Sequence, residues 1–351
     1  MDRLYQPILD ANVVNEYCSI YQDIFSDIRN YEHFKYLHLG LISGIPKKSL
    51  PAIAETVGLG NGQSLHHFLV NTPLNLKDLR HQRLVLTRQI LDQKPFFLCI
   101  DETGDKKKGD TTDYVALQHV PNLNRNERSL VSLNSYALWD QLAFPLLFNV
   151  FKPRSRLKAA DIYKTKPGLA IEMIEELQEQ DFPFKLVLIN SLYSETSTLI
   201  QAFNELNLDF IIAARLDYEV WLRPGPRVTF RRWQNLDITQ ENTGEIYSIR
   251  EMLFRRRSDI RYYQIAPRTR DPEEQSSWHI ITNLQGNFLR TAGNTFAIKE
   301  LIEFAFKRKR DDLGWSDHRL TDYHSIERWW EIVYSAYLMV NQQTLTLPPT
   351  S

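Results

Sequence analysis

Apolar and polar positions along this chain fall into distinct regimes. Residues 1–92 read as helix throughout, and two short segments, Ser49 to Val57 and Ser64 to Val70, flank a break at Gly58-Leu59-Gly60-Asn61-Gly62. A helix, a glycine-containing turn and a second helix are the layout of a helix-turn-helix, whose second helix would meet DNA. His66 and His67 are adjacent on that second helix, point in different directions and read as surface or cap residues rather than metal ligands. After Pro95 the pattern switches to short apolar runs suited to buried strands. The first, Phe96 to Ile100, ends on acid at Asp101; Tyr114 to Val120, Ser129 to Trp139 and Phe144 to Phe151 follow, separated by turn and charged residues as in an antiparallel meander. Thr165 to Gln180 has amphipathic helical spacing, with Ile171, Ile174 and Leu177 on one face. A strand from Phe184 to Ile189, a helix from about Glu195 to Leu206 and a strand from Phe210 to Ala214 complete this stretch.

The order strand, meander, helix, strand, helix, strand predicts an α/β fold, a ribonuclease H-like mixed sheet with flanking helices. From about 216 to 279 the sequence turns charge-rich and turn-rich with short strands, the pattern of a β-rich insertion, and a strand returns at Trp278 to Asn283. Phe296 to Arg310 reads as a helix bearing acid and base, and Ser325 to Val340 has the apolar density of a helix docked on the core. The expected organisation is an all-helical amino-terminal domain over 1–92, a sheet domain over 93–345 interrupted at about 216–279, and a tail over 346–351. No fixed-period repeat or low-complexity tract interrupts it.

Composition agrees with a large folded chain: of 351 residues, 43% are hydrophobic and 12% aromatic, enough for a sizeable core. Two cysteines, Cys18 and Cys99, are too few for a disulfide framework, and the amino terminus has no apolar run of signal-peptide length. The longest apolar stretches, Phe144 to Val150 and Leu186 to Ile189, fall well short of the roughly 20 residues a membrane span needs. The expectation is a cytoplasmic protein without membrane contact. Charge is nearly balanced, 42 Lys and Arg against 43 Asp and Glu, so any polyanion-binding surface must arise from local segregation. Basic runs at Lys106 to Lys108, from Lys152 to Lys166, at Arg255 to Arg257 and at Lys307 to Arg310 are where to look for it.

Acids placed where core elements end are the candidate chemistry: Asp101 after one strand and Glu303 inside a late helix. Carboxylates gathered at a sheet edge would bind Mg²⁺, a hard cation that prefers oxygen ligands. Two such ions can serve phosphodiester cleavage.

The segment Ile100-Asp101-Glu102-Thr103-Gly104 with Lys107-Lys108-Gly109 resembles the IDDTG…KKG signature of IS701-type transposases, within the IS4-like DDE superfamily. Leu186 to Glu195, LVLINSLYSE, resembles that family's second-aspartate strand, usually near VLADSLYGE, and Asn294 to Trp315 together with Thr321 to Val340 is similar to its glutamate helix and carboxy-terminal signature. The early stretch GLISGIPKKSLPAIAE matches the layout of its amino-terminal domain. The resemblance implies a metal-dependent enzyme that cleaves the ends of its element and transfers the strands, with Asp101, Asn190 and Glu303 at the catalytic, metal-ligating positions. It implies Mg²⁺ or Mn²⁺, two ions if active, with terminal inverted repeats and target DNA as double-stranded partners. It further implies a homodimer on DNA and association with the bacterial nucleoid.

The superfamily pattern of tyrosine, arginine, glutamate and lysine or arginine is met here by Phe296, Lys299, Glu303 and Arg310. Lys299, Lys307 and Arg310, with Arg255, Arg256 and Arg257, are the implied contacts to backbone phosphate. Asn190 departs from the family's aspartate. An amide carbonyl can ligate Mg²⁺ but brings no charge, so the alternative expectation is a catalytically impaired copy that retains only DNA binding.

Overall fold

In the computed structural model, the described residues are 11–120, 125–139, 142–190, 196–215, 229–239, 246–253, 259–267, 278–285 and 313–346. Five helices come first: α1 (Ala11–Ser19), α2 (Ile28–Ile42), α3 (Leu50–Thr56), α4 (Gln63–Asn71) and α5 (Leu76–Leu91). Their ends follow local chemistry. The Asp27 carboxylate accepts the Arg29 backbone N–H at 2.9 Å to start α2, and the Asn75 side chain does the same for Lys77 at 3.1 Å to start α5. Helices α3 and α4 form the expected corner. Gly58 takes a φ of 78°, open to glycine at little cost, and Gly40 on α2 lies so close to α3 that a Cβ there would collide with Ile53. Leu50 and Ile53 on α3 and Leu65, Phe68 and Leu69 on α4 are buried, while His66 and His67 face outward as expected.

The sheet follows, with β1 (Phe96–Lys106), β2 (Ala116–Val120), β3 (Arg125–Trp139), β4 (Leu142–Val150), then α6 (Lys166–Glu179), β5 (Phe184–Asn190), α7 (Thr196–Glu205) and β6 (Phe210–Arg215). Strands β1 and β3 are antiparallel, β4 pairs antiparallel with β3, and β5 lies parallel to β1 with β6 parallel to β5. This is the mixed, ribonuclease H-like α/β arrangement. Thr165 caps α6 by accepting the Gly168 N–H at 3.2 Å, and Ala170, Met173, Ile174 and Leu177 bury its inner face.

Three expectations need correction. The first strand does not stop at Ile100: β1 continues through Lys106, because β3 supplies an antiparallel partner for each residue from Phe97 to Lys106. The strand expected from Tyr114 begins only at Ala116, since Tyr114 has a φ of 59°, outside the extended region. It is not a rung between β1 and β3 either; β2 pairs with the first residues of β3 on that strand's far side.

The stretch expected as an insertion continues the same sheet. Strands β7 (Thr229–Phe230), β8 (Gln234–Thr239), β9 (Ile246–Leu253), β10 (Arg261–Pro267) and β11 (Trp278–Thr282) follow, and β11 hydrogen-bonds antiparallel to β6. The path runs β2-β3-β1-β5-β6-β11-β10-β9-β7, with β4 beside β3 and β8 beside β9.

The closing helix, α8 (Tyr323–Thr346), is longer than its apolar stretch and packs against α2, α4, α5 and β4. One hydrophobic cluster runs from Val14 on α1 through the sheet to Met339 on α8. Cys18 and Cys99 are both buried within it. No helix among the described residues is long and apolar enough to cross a membrane.

Candidate active site

Residue parity along β1 sorts its acids onto two faces. Side chains alternate across a strand, so Asp101, Thr103 and Asp105 share one face and Glu102 takes the other. All four are buried, at 5% exposure or less, which a polar run tolerates only when its groups are partnered. On the second face Glu102 forms an ion pair with Lys166 at the start of α6. On the first, Asp105 lies 2.6 Å from the Lys107 ammonium and 3.4 Å from His318 Nε2, in the segment leading into α8. Burial pushes the His318 imidazole below its usual range, and the hydrogen bond to Asp105 pulls the other way.

Asp101 lies between two asparagines in register. Its Oδ1 accepts the Glu102 backbone N–H at 2.7 Å. Across the antiparallel ladder is Asn134, whose amide donates to Thr103 and Ser132 hydroxyls, each at 3.0 Å, and whose carbonyl accepts from Tyr334 on α8 at 3.0 Å. Across the parallel ladder is residue 190, the last of β5. Among the described residues the parallel pairing runs up to the Asp101–Asn190 rung, toward the carboxyl edge of the sheet where α/β folds place their ligands.

Glu303, Lys299, Lys307, Arg310 and the run Arg255, Arg256, Arg257 lie outside the described residues. Of the nine residues singled out from the sequence, the structure thus brings Asp101 and Asn190 together through backbone register. Sequence reasoning missed the acids' partners, Lys166 and His318. The signal available for Asp105 was its four-residue spacing from Asp101, which puts both on one face of a strand.

The chemistry here suits a hard divalent cation in kind, since Asp101 offers carboxylate oxygen and residue 190 is an amide by identity. It is one carboxylate short of an all-acid pair. Among the described residues no group of three His, Cys, Asp or Glu side chains gathers to hold an ion.

A mixed sheet of this topology with an aspartate at the edge of its central parallel pair is the frame of a nuclease-like phosphoryl-transfer enzyme. Residues 23–235 match the family described as DDE superfamily endonuclease, a span that includes Asp101 and Asn190. The chain is also 42% identical over 323 residues to a probable transposase for insertion sequence element IS701 from Microchaete diplosiphon, covering 90% of this chain and 83% of that one. The chain belongs to the DDE superfamily of endonucleases and, within it, to the IS701-type transposases. Membership carries a general requirement for divalent metal and DNA as the partner.

Proposed function

We propose that the chain cleaves DNA at the ends of its insertion sequence and transfers the freed strands into target DNA, with Asp101, Asn190 and Glu303 as the three ligand positions for Mg²⁺ or Mn²⁺. The observation carrying this reading is the in-register rung of Asp101 and residue 190 at the sheet's carboxyl edge. Those positions would hold the metal, which when bound would supply charge stabilisation for the attacking and leaving oxygens of phosphodiester cleavage. The chain's own contribution is positional. Backbone pairing on both sides fixes Asp101, and Lys166 and Lys107 engage the neighbouring carboxylates of Glu102 and Asp105. Lys299, Lys307, Arg310 and Arg255 to Arg257 hold backbone phosphates, and the α3–α4 corner contacts the terminal repeats. Two copies hold the two element ends together. The protein works in the bacterial cytoplasm, at the nucleoid when bound to DNA.

Asn190 favours a second reading, a copy that binds element ends without cutting them. Comparing wild type, Asn190→Asp and Asp101→Ala on an element-end duplex with Mg²⁺ or Mn²⁺ separates the two. On the first reading wild type cuts, Asp101→Ala does not, and the added charge in Asn190→Asp speeds cleavage about 10–100-fold, the equivalent of about 1.4–3 kcal/mol. A wild type that binds but never cuts, with cleavage appearing in Asn190→Asp, establishes the second.

A further inference from the structure

Near-neutral overall charge hides a segregated edge. Strands β1, β4 and β5 run in the same direction, and their carboxyl-end edge comprises residues 102–115, the last of β1 with the connection that follows it, and 152–166 after β4, joined there by 125–128 at the start of β3. These three stretches hold eleven Lys and Arg against six Asp and Glu, in a protein whose net charge is −1.

The acids there divide into two tiers. Glu102, Asp105 and Asp161 are largely withdrawn from solvent and engaged by Lys166, Lys107 and Lys152. Burial pushes the Asp161 carboxyl up, but bonds from Lys152, the Lys158 backbone N–H and Tyr114 outweigh it and hold the group at about 2. That leaves Asp110, Asp113 and Glu127 against eight outer cations. Lys106, Arg125, Arg128 and Lys158 expose half or more of their side chains, and Lys108 and Arg154 are exposed as well.

The cations are mounted on a fixed frame. Arg156 donates to the carbonyls of Asp110 and Thr112, Lys158 pairs with Asp113, and Asp113 accepts the Tyr323 backbone N–H at 3.0 Å, tying the β1–β2 connection to the start of α8. Lys106 is five residues along β1 from Asp101, roughly 17 Å at strand rise, or about half a turn of duplex DNA.

We infer that this edge is a phosphate-binding track on which the backbone of duplex DNA lies as it approaches Asp101, with Lys106, Lys108, Arg125, Arg128, Arg154 and Lys158 as its contacts. It rests on the transposase reading and assigns DNA contact to residues other than Lys299, Lys307, Arg310 and Arg255 to Arg257. Sequence-independent contacts of this kind act through counterion release, which makes the salt dependence of binding a direct count of them.

The test is fluorescence anisotropy of a labelled mixed-sequence duplex, titrated with full-length protein between about 50 and 200 mM salt. The triple variant Lys108→Gln, Arg125→Gln, Lys158→Gln is expected to lower the slope of log K on log salt by about 2.7 and to weaken binding at least about tenfold. Lys94→Gln with Lys185→Gln removes exposed cations at the opposite, amino-terminal ends of β1 and β5 and is expected to stay within about twofold. Exchanging lysine for arginine and arginine for lysine at the three track positions is expected to restore the slope. A triple variant with the wild-type slope, or an equal loss in the Lys94 and Lys185 control, overturns the track. Wild type that binds no duplex at the lowest salt overturns the transposase reading with it, an outcome distinct from the first two.

Discussion

Two buried attachments hold α8 to the amino-terminal helices, and they are built from opposite chemistry. Toward β4 the link is ionic. Arg83 on α5 is fully buried, pairs with Glu331, and donates to the carbonyls of Pro145 and Leu146 at 2.8 Å each, while Arg80 reaches the same carboxylate at 3.2 Å. Toward α1 and α2 the link is neutral. His38 Nδ1 lies 2.9 Å from the Phe34 carbonyl, which can only accept, so Nδ1 carries the proton and Nε2 accepts from the Ser335 hydroxyl at 2.9 Å. Ser335 must then accept from Tyr17 at 3.1 Å, and Tyr17 from Tyr21 at 3.0 Å. Every proton in that chain has one direction. The ionic anchor is therefore vulnerable to loss of a partner, and the neutral one to gain of a proton.

The largest expected effect breaks the ionic anchor. Glu331→Ala leaves the Arg83 guanidinium buried without its counter-charge and should cost about 3–5 kcal/mol, read as a shift of the urea midpoint. A cost below about 1 kcal/mol would show that the two carbonyls satisfy Arg83 by themselves.

Acid probes the other side. Burial holds the folded-state His38 imidazole at about 4, below its ordinary value of 6.5. The unfolded chain then takes up the proton first, so this contribution is complete above pH 6.5 and is lost as pH falls toward 4, at up to about 1.4 kcal/mol per unit. His279, lowered to about 4 by burial and by Arg250, loses stability in the same window. Denaturation midpoints followed across that range should show a shallower fall in His38→Gln than in wild type; parallel curves would remove His38 from the account. Smallest of the three, Ser335→Ala strips the hydroxyl between Tyr17 and His38 and should cost about 1–2 kcal/mol. A cost matching Glu331→Ala would erase the contrast between the anchors.

What was readable from sequence depended on whether a segment's reason for its shape lay within itself. The apolar runs at 96–100, 184–189 and 210–214 declare their strands because burial is written into each residue. The stretch from Asp101 to Lys106 does not, since it is extended only by virtue of β3. Likewise α8 continues past Val340 into polar sequence, where Asn341 donates to the Ala143 carbonyl at 2.9 Å, a partner invisible from the helix itself. The rung joining Asp101 to residue 190 is a register, and a strand pattern alone leaves register open. Trp315 belonged to no predicted element, yet it stacks on Trp330 with centroids 4.5 Å apart and carries the segment that brings His318 to Asp105.

The long reach of α8 has a consequence for how the protein is made. Tyr17 and His38 are translated 318 and 297 residues ahead of Ser335, and Arg83 well ahead of Glu331, the residues that complete their bonds. At elongation rates of about 5–20 residues per second, the nascent helices wait roughly 12–60 seconds with one flank uncovered. A message cut short before α8 yields a chain whose first helices lack the helix that covers this flank, so truncated copies of the gene should produce chaperone clients and protease substrates rather than a stable amino-terminal fragment.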